Sequence, residues 1–306
     1  MPAWRELPTE SRPVPAAELS LPHTLDCGQA FRWRRQSDGA WVGVIGRQVF
    51  RLRRTADELQ WQAFPASPAD WTLLARYLRL DVCLADTIEL LARGDEPLAA
   101  AVTMARGLRV AQQEPTETLC SYICSAANSV PRISRAIETL AAALGVPIGV
   151  LDGVHYYAFP APERLADTDD SLLDAAGLGF RGRNLRAVAQ ALLAEPIDWP
   201  RLRAAQHLEA RDALASRMWV GPKIADCVCL FALGHDIAVP VDTHIWALAK
   251  TIFGAEIQTK SLTAKTYQQI HGLFVRRYGR YAGWAQQYLF HWRRITVGRA
   301  SADADG

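Results

Sequence analysis

Residues 216–231 read SRMWVGPKIADCVCLF. A helix is expected to end near Met218, and Trp219, Val220 and Gly221 leave room for only a very short turn. Pro222 opens the next helix, because a missing N–H costs nothing at the first helical position. That second helix places Ile224, Cys227, Val228 and Phe231 on one apolar face at i, i+3, i+4 and i+7. Two helices joined by so tight a turn leave the N–H groups of the turn, and of the second helix's first turn, without partners. Such donors are a natural seat for a phosphate. Lys223 lies inside that first turn, where the positive end of the helix dipole and any desolvation disfavour its charged form. A lysine pushed toward the neutral amine is a nucleophile. The plainer reading is a solvent-facing lysine that tolerates the dipole.

Nineteen residues further on stands Asp242, within AVPVDTHIW at residues 238–246. Pro240 forces an extended approach, and Asp242 then sits where an N-cap belongs, ahead of a helix through Lys250. Capping alone explains an aspartate there. A carboxylate facing a pocket could also stabilise a cationic transition state or take a proton. His244 could cap, pack or touch a phosphate.

The remainder of the chain sets bounds. It has 306 residues, half of them apolar and 22% charged. That supports a sizeable core in two or three domains and excludes a disordered chain, a collagen or a coiled coil. No run of about 18 apolar residues could cross a membrane. Met1–Glu10 carries Arg5, Glu6 and Glu10 and lacks an apolar signal segment, so an intracellular protein is expected. The net charge is +2, which argues only weakly for a polyanionic partner. Only four of the 34 basic residues are lysines (Lys223, Lys250, Lys260 and Lys265), and the first 222 residues contain none. Lysine chemistry therefore has few candidates, while arginine supplies the better fork for phosphates and bases. The six cysteines (Cys27, Cys83, Cys120, Cys124, Cys227 and Cys229) include no C-x2-C pair. Free thiols are expected, with no zinc ribbon, iron–sulfur cluster or other metal site, and no cofactor.

The first 65 or so residues read as strands. Trp41–Arg53 alternates apolar and polar residues around Gly46-Arg47, predicting a hairpin, and Leu59–Phe64 alternates again. From Pro68 the period becomes helical. Helices are expected over 70–80, 86–93, 96–106, 116–126, 131–144, 162–166, 170–176, 183–193, 199–206, 209–218, 222–233, 243–253, 262–278 and 282–293. The polar tail RASADADG, residues 299–306, is expected to be disordered. The fold class is α+β, a small N-terminal antiparallel sheet domain followed by a mostly helical domain.

At this point five segments carry a resemblance. Trp219–Trp246 resembles the helix-hairpin-helix DNA glycosylases. Four further stretches narrow it to the 8-oxoguanine DNA glycosylases with AP-lyase activity. DCGQAFRW (26–33) is similar to that family's base-reading segment, and YICSAANSVPRI (122–133) to its minor-groove insertion. GLGFRGR (177–183) is similar to its wedge loop, and YAGWAQQYLF (281–290) to its last pocket helix. All five occur in the family's order. The resemblance implies a β-rich domain with flanking helices over 1–108 and a two-lobed helix-hairpin-helix glycosylase domain over 109–298.

The resemblance also implies roles. Lys223 is the nucleophile and Asp242 supports the cationic transition state. Gly28, Cys227, Gln286 and Phe290 form the damaged-base pocket, with the Gly28 carbonyl reading the lesion and Phe290 and Cys227 enclosing the purine. His244, Val220 and Gly221 hold the DNA backbone. Asn128, Arg132, Phe180 and Arg181 face the opposite base and the wedge. The partner is double-stranded DNA containing 8-oxoguanine, and a monomer is expected, in the cytoplasm or nucleoid of a bacterium or the nucleus of a eukaryote. Without the resemblance, Phe290 and Cys227 read as ordinary core positions.

Three positions depart from the family pattern. Trp219 replaces a turn glycine of the hairpin. Ala127 stands where the family usually has an asparagine filling the space of the flipped base, so selectivity for the opposite base is expected to loosen. The iron–sulfur cysteines of related adenine- and pyrimidine-lesion glycosylases are absent. The rival readings are an alkylated-base glycosylase on the same fold, which keeps the aspartate without needing the lysine, and a catalytically silent DNA-binding protein.

Overall fold

The structure is a computed structural model, and it describes residues 3–257, 259 and 261–304. Five strands form one antiparallel sheet: β1 (Glu10–Pro13), β2 (Trp33–Arg35), β3 (Trp41–Ile45), β4 (Gln48–Arg54) and β5 (Glu58–Phe64), in the order β1-β5-β4-β3-β2. The β3–β4 hairpin closes through Gly46-Arg47, with Ile45 paired to Gln48. That is the two-residue loop the alternation predicts. One sheet face buries Phe50, Leu52, Leu59 and Trp61 against Leu74 and Leu78.

The helices are α1 (Leu21–Leu25), α2 (Asp70–Tyr77), α3 (Ile88–Leu91), α4 (Glu96–Met104), α5 (Pro115–Ile123), α6 (Val130–Leu144), α7 (Pro162–Ala166), α8 (Asp170–Ala175), α9 (Phe180–Ala194) and α10 (Trp199–Ala204). They continue with α11 (His207–Ala215), α12 (Pro222–Val228), α13 (Thr243–Phe253), α14 (Ala264–Tyr278) and α15 (Ala282–Ala304). Helix α12 packs against both α5 and α11, and α15 packs against α4, α13 and α14. The hairpin helix therefore sits at the centre of the helical core. A buried guanidinium ties the strand-rich part to this core. Arg109, 1% exposed, donates to the Glu18 carboxylate at 2.5 Å and to the carbonyls of Arg79 and Val82 at 2.6 Å each.

Three expectations change. Residues 222–233 are not one α-helix. After Val228 the chain widens into a π-helical turn, Cys229–Leu233, which ends at left-handed Gly234. The Phe231 carbonyl accepts from the Gln113 N–H at 2.7 Å, a bond outside its own helix. Helix α15 continues to Ala304, past Arg299, because neither glycine nor proline interrupts residues 299–304; residues 305 and 306 lie outside the described residues. A second sheet, β6 (Pro147–Leu151) with β7 (Val154–Tyr157), was not expected. Its Asp152-Gly153 turn, both residues at positive φ, is a strong hairpin signal legible in the sequence.

Candidate active site

The hairpin places its lysine at a junction of two cavities. The inner one is a narrow pocket lined by Gly28, Tyr122, Lys223, Cys227, Pro240, Asp242, Gln286 and Phe290, among others. The outer one is an open groove of about 680 Å³ with Ala127, Asn128, Gly221, Lys223, Asp242 and His244 on its walls. Tyr122, Lys223 and Asp242 line both. Lys223 and Asp242 therefore stand at the neck where the narrow pocket meets the open groove.

Lys223 is partly buried in the first turn of α12. Its Nζ donates to Ser125 Oγ at 3.3 Å and stands 4.8 Å from the centre of the Tyr122 ring. Asp242 is the N-cap of α13, its Oδ1 accepting from the Ile245 N–H at 2.8 Å. That bond fixes the carboxylate at the neck and leaves its other oxygen available. The Cys227 thiol is pushed up to about 12 by burial, despite the Lys223 ammonium nearby, and so stays neutral. The pocket thereby gains an apolar, polarisable wall. Gln286 is 3% exposed, and its Oε1 is a buried acceptor without a partner among the described residues. A buried amide left open in this way calls for a ligand.

Gly28 has φ +86, and a Cβ there would stand 3.2 Å from Arg294 Nη1, 3.3 Å from Val130 Cγ2 and 3.5 Å from Phe290. Both the backbone angle and the crowding call for glycine. The segment is held from behind. Arg294 donates to the Asp26 carbonyl, and Gln287 donates to the Cys27 Sγ at 3.2 Å and to the Cys27 carbonyl at 3.4 Å. His244 meets the Phe290 ring edge-on at 5.8 Å.

The expected DNA-facing residues divide. Gly221, exposed, is the N-cap of α12, but the Val220 N–H donates to the Arg217 carbonyl at 3.2 Å and its side chain is buried. Val220 closes the turn and is not free for a phosphate. Asn128 is spent locally, donating to the Cys124 carbonyl at 3.1 Å and accepting from the Ser129 N–H. Arg132 is exposed in the first turn of α6 and Phe180 is half exposed at the start of α9. Arg181 stacks over Phe180 at 4.6 Å, and its guanidinium donates to the carbonyls of Ala126 and Ala127.

Residues 11–119 match the family model of the 8-oxoguanine DNA glycosylase N-terminal domain, and residues 120–271 that of the HhH-GPD superfamily base excision DNA repair proteins. The N-glycosylase/DNA lyase OGG1 of Arabidopsis thaliana is 34% identical over 283 residues, 89% of this chain and 77% of the relative. The chain belongs to the 8-oxoguanine DNA glycosylase family. The N-glycosylase/DNA lyase of Saccharomyces cerevisiae is 31% identical over 90% of this chain and 83% of its own. Among solved structures, the 8-oxoguanine glycosylase/lyase of Clostridium acetobutylicum, in complex with DNA containing cytosine opposite 8-oxoguanine, has a TM-score of 0.82 at 26% identity, covering 92% of this chain and 93% of that one. A 3-methyladenine DNA glycosylase of Archaeoglobus fulgidus shares the fold, with a TM-score of 0.71 at 18% identity over 95% of this chain and 99% of that one.

In this glycosylase the hairpin survives the loss of its glycine. Trp219 itself takes the left-handed conformation, φ +65, with the indole 51% exposed. An L-residue there carries a strain of about 1–2 kcal/mol. Trp219→Gly should therefore stabilise the protein, because little apolar burial is lost. The expected gain is about 1 kcal/mol, or about 2 °C in Tm; a lower Tm in thermal denaturation would show that the exposed indole matters more than the backbone.

Tyr122, Ser125, Gln287 and Arg294 join the site without having been singled out in the sequence. Tyr122 and Ser125 sit in a quoted family segment but read as helix core. Gln287 adjoins Gln286, and only the fold shows that it turns to Cys27.

Proposed function

We propose that this glycosylase flips 8-oxoguanine, paired with cytosine, out of duplex DNA, excises it through Lys223 and then cleaves the strand. The observation that carries the reading is the placing of Lys223 and Asp242 at the neck shared by the inner pocket and the groove. A base must leave the stack before its sugar bond can be cut. With the base in the pocket and its backbone along the groove, C1′ lies at the neck. The amine of Lys223, having lost a proton, attacks C1′ as the bond from C1′ to N9 breaks, and the electron pair leaves with the base. The sugar opens to a Schiff base on Lys223. Loss of a C2′ proton then expels the 3′ phosphate by β-elimination. Asp242 stabilises the positive charge that develops at C1′.

The lesion differs from guanine at N7, where it carries a hydrogen and guanine an acceptor. The Gly28 carbonyl accepts that hydrogen and opposes guanine's lone pair, a contrast of roughly 1–3 kcal/mol. Gln286, with its open Oε1, reads the Watson–Crick edge, and Cys227 and Phe290 enclose the ring. His244 and Gly221 border the groove where the phosphates run, and Arg132 and Arg181 face the orphan cytosine. Such an enzyme works where the genome is, in a nucleoid or a nucleus.

Borohydride trapping on duplexes with each of the four bases opposite 8-oxoguanine tests this. Adduct should form fastest opposite cytosine, with a margin over thymine about tenfold smaller than an asparagine in place of Ala127 would give, since one missing side-chain contact is worth about 1.4 kcal/mol. No adduct on any duplex would overturn the proposed function. Strict dependence on cytosine would overturn only the role given to Ala127.

A further inference from the structure

A second chemical cluster lies in the core beside the catalytic helix. Asp226, three residues after Lys223 on α12, is 0% exposed. His207 Nε2 stands 2.7 Å from its Oδ1, and the Tyr267 hydroxyl donates to its Oδ2 at 2.6 Å. His271 lies parallel to His207, with ring centres 5.0 Å apart. His207, Asp226 and His271 are all buried, and each offers a ligand atom within 4.8 Å of the other two. His271 is 8% exposed, and its Nε2 is buried without a hydrogen-bond partner among the described residues. Burial pushes His271 down to about 4, so its ring is neutral near pH 7 and free to donate a lone pair.

We propose that His207, Asp226 and His271 form a binding site for a divalent transition metal of the zinc type. Two imidazoles and a carboxylate are a zinc-like donor set. A fully buried carboxylate calls for a compensating positive charge, and among the described residues the Asp226 carboxylate hydrogen-bonds only with the His207 imidazole and the Tyr267 phenol. Zinc bonds of 2.0–2.1 Å place tetrahedral ligand atoms about 3.3 Å apart. The His207–Asp226 pair must therefore open slightly and His271 draw in by an ångström or so. The ring hydrogen between His207 and Asp226 moves to Nδ1 or to solvent. A cavity of about 720 Å³, lined by His207, His235, His271 and Arg280, adjoins the cluster and offers the metal an entry and a water for its fourth position. A metal there staples α12, which carries both Lys223 and Cys227, to α11 and α14. The sequence, with no C-x2-C pair, points to no such site. The competing account is that His207 carries the compensating charge itself, with no metal.

Titration of the tag-free, chelator-treated protein with Co²⁺ separates the two. One equivalent should give d–d absorption without a thiolate charge-transfer band, unchanged in Cys83→Ser. It should also broaden the His207 and His271 ring resonances. Zinc at a hundredfold excess over its Kd should raise Tm by about 5 °C. His207→Ala and His271→Ala should each lose the spectrum and the shift. A wild type with no saturable equivalent overturns the proposal. So does a spectrum unchanged in both variants, or broadening that leaves these two rings untouched when a variant fails to fold.

Discussion

Lys223→Gln should yield no borohydride-trapped adduct and should lower single-turnover excision of 8-oxoguanine by at least about 10⁴-fold, the scale set by removing an enzymatic nucleophile. Glutamine retains most of the length and a donor for Ser125 Oγ, which the lysine now reaches at 3.3 Å. Folding stability should therefore change by less than about 1 kcal/mol, so lost activity would not reflect lost structure. The variant should still bind the lesion duplex, because the pocket wall formed by Cys227, Gln286 and Phe290 is untouched. An adduct from Lys223→Gln would assign the nucleophile elsewhere. The choice would be narrow: Lys250 is exposed near the C-terminal end of α13, with its ammonium over the Trp246 ring, and does not line either cavity.

Asp242→Asn should lower excision by roughly 10²–10³-fold, the loss of about 3–4 kcal/mol of transition-state stabilisation. Its Tm should stay close to that of the wild type. The two outcomes separate because Asp242 has two tasks. Its Oδ1 caps α13 through the Ile245 N–H, and asparagine caps about as well as aspartate. Only the charge at the neck is removed. Asp242→Ala should lose both, with about 1 kcal/mol less stability in addition to the activity defect. Equal activity of Asp242→Asn and wild type would reduce this aspartate to a cap.

Much of this was readable from residues. The helical hairpin followed from Pro222 and the apolar spacing behind it, and the β3–β4 turn from Gly46-Arg47, because local chemistry determines both. The π-helical turn at Cys229–Leu233 was not readable: its Phe231 carbonyl is held by Gln113, more than a hundred residues away. In the site, Lys223 and Asp242 stood out because each occupies a helix start where its charge has consequences. Val220 was misplaced, since a backbone N–H can look free in sequence and still close its own turn. Arg294, Gln287 and the His207–Asp226–His271 cluster are products of packing. Their members are scattered over α11, α12, α14 and α15, and no local spacing links them.

The grip of Arg181 on the Ala126 and Ala127 carbonyls has an energetic consequence. The proposed reader of the orphan base is sheathed by two carbonyls of its own chain. Unsheathing breaks hydrogen bonds of roughly 1 kcal/mol each, and only a base presenting suitable acceptors returns that energy. In the role proposed for Arg181, the energy for baring its guanidinium comes from the vacated base itself, so reading that base begins with a contact the enzyme makes to itself.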